Sequence, residues 1–265
     1  MYFSYRKFSL VALVVILSGC SSMAKDYKKG VIPVAKRASS ADIVNTKSLL
    51  NKALKGKVKL SQSGSDYHLI NTIVKRLSVA AGLGSWSYPV YIGDAGNEVN
   101  AMAVNDNTIL VYKKLISNVG RDTGLLATIL AHEVAHILGK HGHDSTNKNR
   151  SIGVILGSLA LGVLVEKTTG SREFGSFSRE IGNMVGIGTL VRPYDRSVEL
   201  EADHVGMLLM AKAGYDPRIA IRFWANSTKY LGASSSSFLS THPSHADRKK
   251  KLLETLPLAL KLYRK

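Results

Sequence analysis

A chain of 265 residues can bury one sizeable hydrophobic core and hardly two. Its composition is ordinary for a globular protein except in charge: 36 Lys and Arg against 19 Asp and Glu give +17, which predicts attraction to anionic surfaces. A single cysteine excludes a disulfide within the chain.

Taken from its start, the chain carries Arg6 and Lys7, then an apolar run from Leu10 to Leu17, then Ser18-Gly19-Cys20. A basic start, an apolar run too short to span a bilayer and small residues at its end describe a secretory signal over residues 1–19. Leu17-Ser18-Gly19-Cys20 resembles the bacterial lipobox, which implies that Cys20 is the lipidated first residue of the mature chain. Ser21 and Ser22 follow. By resemblance to Gram-negative lipoproteins, in which aspartate after the cysteine favours inner-membrane retention, they imply an outer-membrane lipoprotein facing the periplasm. That address excludes nucleic acid as the partner of the positive charge and leaves phospholipid or lipopolysaccharide.

Residues 20–65 are polar and basic with no sustained core pattern, and read as a lipidated basic tether. Within it, Ala41 to Leu54 reads as a short amphipathic helix whose lysines form a solvated face or brush the membrane. The folded domain is expected over residues 66–265. Tyr67, Ile70, Ile73, Val74, Leu77 and Ala81 recur at helical spacing, and Gly82 with Gly84 ends that helix. Tyr88 to Ile92 reads as a strand; Glu98 to Val104 and Thr108 to Tyr112 flank the turn signal Asn105-Asp106-Asn107 and read as two more. Lys113 to Val119 reads as a short helix.

The next stretch holds His132-Glu133-Val134-Ala135-His136. On a helix, positions four apart differ by about 40° in azimuth and about 6 Å in height, so His132 and His136 can converge on one cation. Glu133 lies about 100° round from His132, beside the cation. There a carboxylate can take a proton from an attacking water and hand it to a leaving amine, while zinc polarises the scissile carbonyl. Leu125, Leu126, Ile129, Leu130, Val134, Ile137 and Leu138 make the helix apolar almost all round, so it is expected to be buried, with Asp122 or Thr123 at its N-cap. Two histidines and a glutamate buried there need partners, which a metal supplies together.

Catalytic zinc usually takes three protein ligands and leaves a position for water. In Gly139-Lys140-His141-Gly142-His143 a metzincin-like third histidine would stand six residues after His136, but Gly142 occupies that place. His141 and His143 read better as a polar turn after a helix that stops near Gly139. The better third ligand lies in Glu199-Leu200-Glu201-Ala202-Asp203. As a helix, this stretch puts Glu199 and Asp203 on one face with Ala202, Gly206, Met210 and Ala213, a small-residue strip suited to close approach. Glu199 is the expected ligand, and Asp203 its neighbour that accepts the outer ring N–H of a ligand histidine. Glu201 and His204 are expected to face water.

Between these helices, Ser151 to Val165 is apolar and glycine-rich; at fifteen residues it is short for a membrane span and reads as close helix packing over the site, with a membrane-dipping segment as the alternative. Residues 171–191 are glycine-rich and read as a flap. After the Glu199 helix, Gly214 is an expected C-cap residue and Asp216-Pro217 starts another helix. Thr241-His242-Pro243 precedes a last helix, with Ser244 and Asp247 spaced like a capping box.

Paired in this way, His132-Glu-Val-Ala-His136 and Glu199-Leu-Glu-Ala-Asp203 resemble the HtpX and CAAX-prenyl-protease family of gluzincin zinc metallopeptidases, within it the short periplasmic lipoprotein branch (LoiP-, YcaL- and BepA-like). The resemblance covers roughly residues 66 to 255 and includes Asn100-Ala-Met-Ala103, Ala213-Gly-Tyr-Asp-Pro217, Thr241-His-Pro243 and Arg248. It implies an α+β, mostly helical metallopeptidase domain with a small β-sheet beside the His-Glu-x-x-His helix. It also implies that Asn100, Ala101, Met102 and Ala103 form an edge that holds substrate by strand addition, against the plainer reading of a sheet strand without ligand. For His242 three roles stay open: stabilising the oxyanion, occupying the open metal position and holding the enzyme off, or packing a loop.

The expected protein is therefore a membrane-anchored metalloendopeptidase with one Zn2+ per chain on His132, His136 and Glu199. Glu133 is its general base and Asp203 orients the site, assisting proton donation by family resemblance. The resemblance implies quality control of misfolded or misassembled envelope proteins and contact with outer-membrane assembly machinery. No tetratricopeptide-like extension is expected after Leu256. The competing expectation is a zinc-stabilised periplasmic chaperone or scaffold; Glu133 argues against it, because a structural zinc site needs no base and usually has four protein ligands.

Overall fold

A computed structural model describes residues 30–141, 196–232, 238–239, 242 and 246–263. The expected signal, Cys20, the segments 151–165 and 171–191, His143, and the proposed cap Ser244 lie outside the described residues.

Eight helices and four strands are described: α1 (Ser40–Leu54), β1 (Lys59–Ser61), α2 (Gly64–Ala80), β2 (Val90–Asp94), β3 (Ala101–Val104), β4 (Thr108–Tyr112), α3 (Lys113–Asn118), α4 (Thr123–Gly139), α5 (Arg196–Lys212), α6 (Arg218–Ala225), α7 (Ser227–Leu231) and α8 (Ala246–Tyr263). The α+β expectation holds: a small mixed sheet, in the order β1-β2-β4-β3, sits beside a mostly helical body. β2 and β4 run parallel, while β1 and β3 pair antiparallel with their neighbours. β4 is apolar at every position but Thr108 because both its faces are covered. Ile109 and Val111 join the main core with α2 and α4; Leu110 and Tyr112 pack with Leu50, Leu54, Tyr91, Met102 and Val104 under α1. The β3–β4 hairpin turns through Asn105 and Asp106, both left-handed (φ 50° and 52°), a backbone that Asn and Asp adopt more readily than most residues.

One boundary moves. Within the stretch expected as a tether over 20–65, α1 seats Leu50 and Leu54 on the sheet, and β1 pairs Lys59 to Ser61 with Asp94 to Ile92. The packed unit thus begins upstream of Asp66. The lysines between the apolar residues mask the pattern: α1 buries only Thr46, Leu50, Ala53 and Leu54, one narrow stripe. Its N-terminus closes with a capping box between Ser39 and Asp42.

Buried almost throughout, α4 is the axis of the domain, every residue from Gly124 to Ile137 being inaccessible. Asp122 caps it by accepting the Gly124 and Leu125 N–H groups. α5 lies against it at backbone distance. A Cβ on Gly206 would stand 3.0 Å from the His132 nitrogen and 3.1 Å from the Ala131 carbonyl atoms, so glycine is required for the approach that brings Glu199 to the histidines. Gly206→Val is expected to cost about 1–3 kcal/mol in urea denaturation, since neighbouring backbone cannot rotate away. An unchanged midpoint would show that the two helices are not packed this closely.

The opposite side of α5 faces α8, which corrects the expectation for His204. It is buried, its Nδ1 2.7 Å from Thr255 Oγ1, because α8 covers the side that sequence spacing assigned to water. Glu201 is half-buried. Asp247 pairs with Arg196, tying the start of α8 to the start of α5.

Candidate metal centre

α4 contributes His132, Glu133 and His136, α5 contributes Glu199 and Asp203, and the chain returns at His242 and Arg248. All seven side chains are buried. One donor atom each from His132, His136, Glu199 and His242 lie within 4.8 Å of one another. The inner ring nitrogens converge: His132 Nε2 is 3.1 Å from His136 Nε2 and 3.4 Å from Glu199 Oε2, and His136 Nε2 is 3.4 Å from Glu199 Oε1. Donors around a tetrahedral zinc, each about 2.0–2.1 Å from the ion, stand roughly 3.3 Å apart, so this set fits one.

Charge argues in the same direction. Glu133, Glu199 and Asp203 face only Arg248 among the described permanent cations, a deficit that a divalent ion would cancel. Glu199 Oε2 and Glu133 Oε1 are buried without a hydrogen-bond partner. Arg248 Nη1 lies 3.0 Å from Glu199 Oε2, near enough for attraction but not aligned as a hydrogen bond.

On the outer side of His132, Nδ1 lies 3.1 Å from Asp203 Oδ1. Asp203 is itself gripped by Arg248 through Nε (2.6 Å) and Nη2 (2.7 Å), a bidentate fork. The guanidinium stacks on the Trp224 ring at 3.4 Å and its Nη1 donates to the His242 carbonyl. Sequence spacing finds Asp203 but not this clamp; Arg248 enters from the sequence only through the family resemblance, with no role attached.

These surroundings set the protonation states. Burial alone would lower the pKa of His132, but the Glu199 carboxylate and the bond to Asp203 overcome it and raise it to about 9. His136 is held well below its ordinary value, chiefly by burial. For Glu199, burial is outweighed by His242 and His132, which hold its carboxyl well below the usual range. Without metal, His132 therefore carries a proton at pH 7, which a cation on its ring must displace. Titrating zinc at pH 7 in buffers of different ionisation heat is expected to show about one proton released per ion. No release would mean that His132 is already neutral before the ion binds.

β3 is an edge of the sheet and borders α4. The Asn100 carbonyl accepts the Tyr112 N–H, so the main-chain groups of even positions face β4 and those of odd positions point away from it. Two outward groups are engaged: the Val99 carbonyl accepts the Phe238 N–H at 3.2 Å, and the Ala103 N–H donates to Glu133 Oε2 at 2.8 Å. Of the expected edge Asn100 to Ala103, the main chain of Ala101 lies between them and points away from β4, with the residue itself fully buried. The Asn100 amide is fully buried, with neither of its polar atoms hydrogen-bonded.

His242 lies against the donor set. Its Nδ1 is 3.1 Å from Glu199 Oε1 and 3.2 Å from His132 Nε2, while its Nε2 is 3.5 Å from Glu133 Oε1. Phe238 packs on the ring at 4.8 Å.

The profile of Peptidase family M48 matches residues 66–256. The chain belongs to this family. Among its relatives, the mitochondrial metalloendopeptidase OMA1 of Arabidopsis thaliana is 32% identical over 168 residues, 63% of this chain and 32% of the relative. OMA1 of Saccharomyces cerevisiae is 29% identical over 178 residues, 65% of this chain and 48% of the relative. The beta-barrel assembly-enhancing protease of Yersinia pestis is 24% identical over 182 residues, 66% of this chain and 35% of the relative. The chain thus spans about a third to a half of the length of these relatives.

Proposed function

We propose that this M48 protein is a zinc metalloendopeptidase in which His132, His136 and Glu199 hold one Zn2+ and Glu133 is the general base. The observation that carries the reading is the convergence of those three donors at tetrahedral spacing, with a Glu133 oxygen that makes no hydrogen bond beside them. Bound zinc would supply Lewis-acid polarisation of the scissile carbonyl and make the attacking water more acidic. The chain's own residues do the rest. By family resemblance the edge Asn100 to Ala103 receives the substrate backbone as an added strand, Glu133 takes the water proton and passes it to the leaving amine, and Asp203 keeps His132 in the tautomer whose Nε2 faces the ion.

Of the three roles open for His242, the geometry favours occupation of the fourth metal position, because its Nδ1 lies among the donor atoms. In that position it blocks the place an attacking water needs, and the peptidase is held off until the residue moves. The reading is tested with the full chain: metal content, then cleavage of an unfolded protein before and after chelation and zinc restoration, for wild type and His242→Ala. Expected are one zinc per chain, chelator-sensitive cleavage, and a higher rate for His242→Ala at unchanged zinc content. Zinc without cleavage in either protein would favour the chaperone reading; a slower His242→Ala would return His242 to the oxyanion role.

For the setting, we propose a lipoprotein anchored through Cys20 at the outer membrane, facing the periplasm, with misfolded or misassembled envelope proteins as substrates. The lipobox-like Leu17-Ser-Gly-Cys20 and the basic segment after it support the address. Relatives named as beta-barrel assembly-enhancing proteases support the substrate class and contact with the assembly machinery, while the OMA1 relatives are named as mitochondrial. Labelling with palmitate, lost in Cys20→Ser, tests the anchor.

A further inference from the structure

Resting on the metal centre proposed above, we infer that His141 is a positioning residue for the site: it fixes the tautomer and ring orientation of His136. His136 Nε2 points to the other donors, so a cation there requires the proton on Nδ1. That Nδ1 lies 2.9 Å from His141 Nδ1, with the rings edge to face at 5.0 Å. The His136 Nδ1–H donates and His141 Nδ1 accepts. His141 therefore does for His136 what Asp203 does for His132, and each α4 histidine has its outer nitrogen held.

Three consecutive residues build the contact. α4 ends as a Schellman turn, with Lys140 left-handed at φ 53°, its N–H donating to the Ile137 carbonyl and the His141 N–H donating to the His136 carbonyl at 3.0 Å. The turn reverses the chain and lays the His141 ring back over the last residue of the helix. That residue is Gly139, where a Cβ would stand 2.1 Å from His141 Nε2 and 2.5 Å from its Cδ2. Only glycine leaves room for the ring. An alanine would favour the helix yet swing His141 away from His136. This turn, which as a sequence reads only as a polar end to the helix, carries the glycine, the reversal and the histidine in the one order that makes the contact.

The test is zinc affinity of the full chain, measured by competition with a chelator. His141→Ala is expected to bind zinc about 10–100-fold more weakly than wild type, as loss of such a supporting contact typically does. Gly139→Ala should show a loss of the same size with His141 still present, and the double variant should lose no more than either alone. His141→Asn, whose Oδ1 falls where Nδ1 stood, should recover most of the affinity; a merely structural turn would not be rescued this way. His141→Ala or Gly139→Ala binding zinc as tightly as wild type overturns the assignment, and should His141→Ala fail to fold, Gly139→Ala decides alone. Wild type that binds no zinc overturns the metal reading itself, and this assignment with it.

Discussion

Glu133→Gln is expected to retain one zinc and to lose peptide cleavage by about 10²–10⁴-fold in kcat, the range supplied by a positioned general base. The substitution is close to isosteric at a fully buried position. A glutamine carbonyl can still accept the Ala103 N–H that now donates to Glu133 Oε2, so the edge strand keeps its place on α4. What is lost is the second oxygen, which has no hydrogen-bond partner and is the one free to take a proton. Burial raises the Glu133 pKa above the ordinary carboxylate value, with His242 and His132 drawing it partly back. A base shifted toward neutrality is better matched to its task than an ordinary carboxylate. The shift also fixes the sign of the stability effect. A carboxyl whose folded pKa lies above its unfolded value costs stability once pH rises past the unfolded value. At pH 7 the neutral glutamine removes that cost, so the melting temperature should hold or rise while activity falls. Cleavage at the wild-type rate would show that Glu133 is not the base.

The sequence exposes those parts of the site whose chemistry is local in the chain. His132, Glu133 and His136 lie within one turn of a helix, and Glu199 with Asp203 within one turn of another, so helical spacing alone brings each set to one face. The small-residue strip on α5 likewise foretells the contact at Gly206. What stays hidden depends on reversals of the chain or on burial against its own pattern. α1 packs on the sheet through four buried residues set among lysines, too few to distinguish docking from a solvated amphipathic helix. His204 faces α8, a helix more than forty residues later. The clamp on Asp203 comes from the first residue of a run of four basic residues, of which Lys249 and Lys250 are exposed, Lys251 is half-buried and Arg248 is buried. Spacing within the run does not mark which one; only the family resemblance points to Arg248, and it assigns the residue no role.

That buried member carries the second large effect. Arg248→Met is expected to destabilise the metal-free protein by about 3–5 kcal/mol, the usual cost of leaving a buried ion pair with one partner. Asp203 would lose both arms of the fork and Glu199 its nearest permanent cation. The guanidinium holds Asp203 well ionised against its burial, and without it that carboxylate either stays charged and unpaired or takes a proton and ceases to order His132. Zinc repays part of the loss by neutralising Glu199, so the deficit in urea denaturation should shrink when the ion is bound. Lysine restores the charge but not the planar fork or the stacking on Trp224, and Arg248→Lys should fall between wild type and Arg248→Met. Pairing Arg248→Met with Asp203→Asn removes both ends of the interaction and should cost less than the sum of the two single changes. A loss below about 1 kcal/mol for Arg248→Met would be that of a surface pair, and would mean that the clamp does not form in solution.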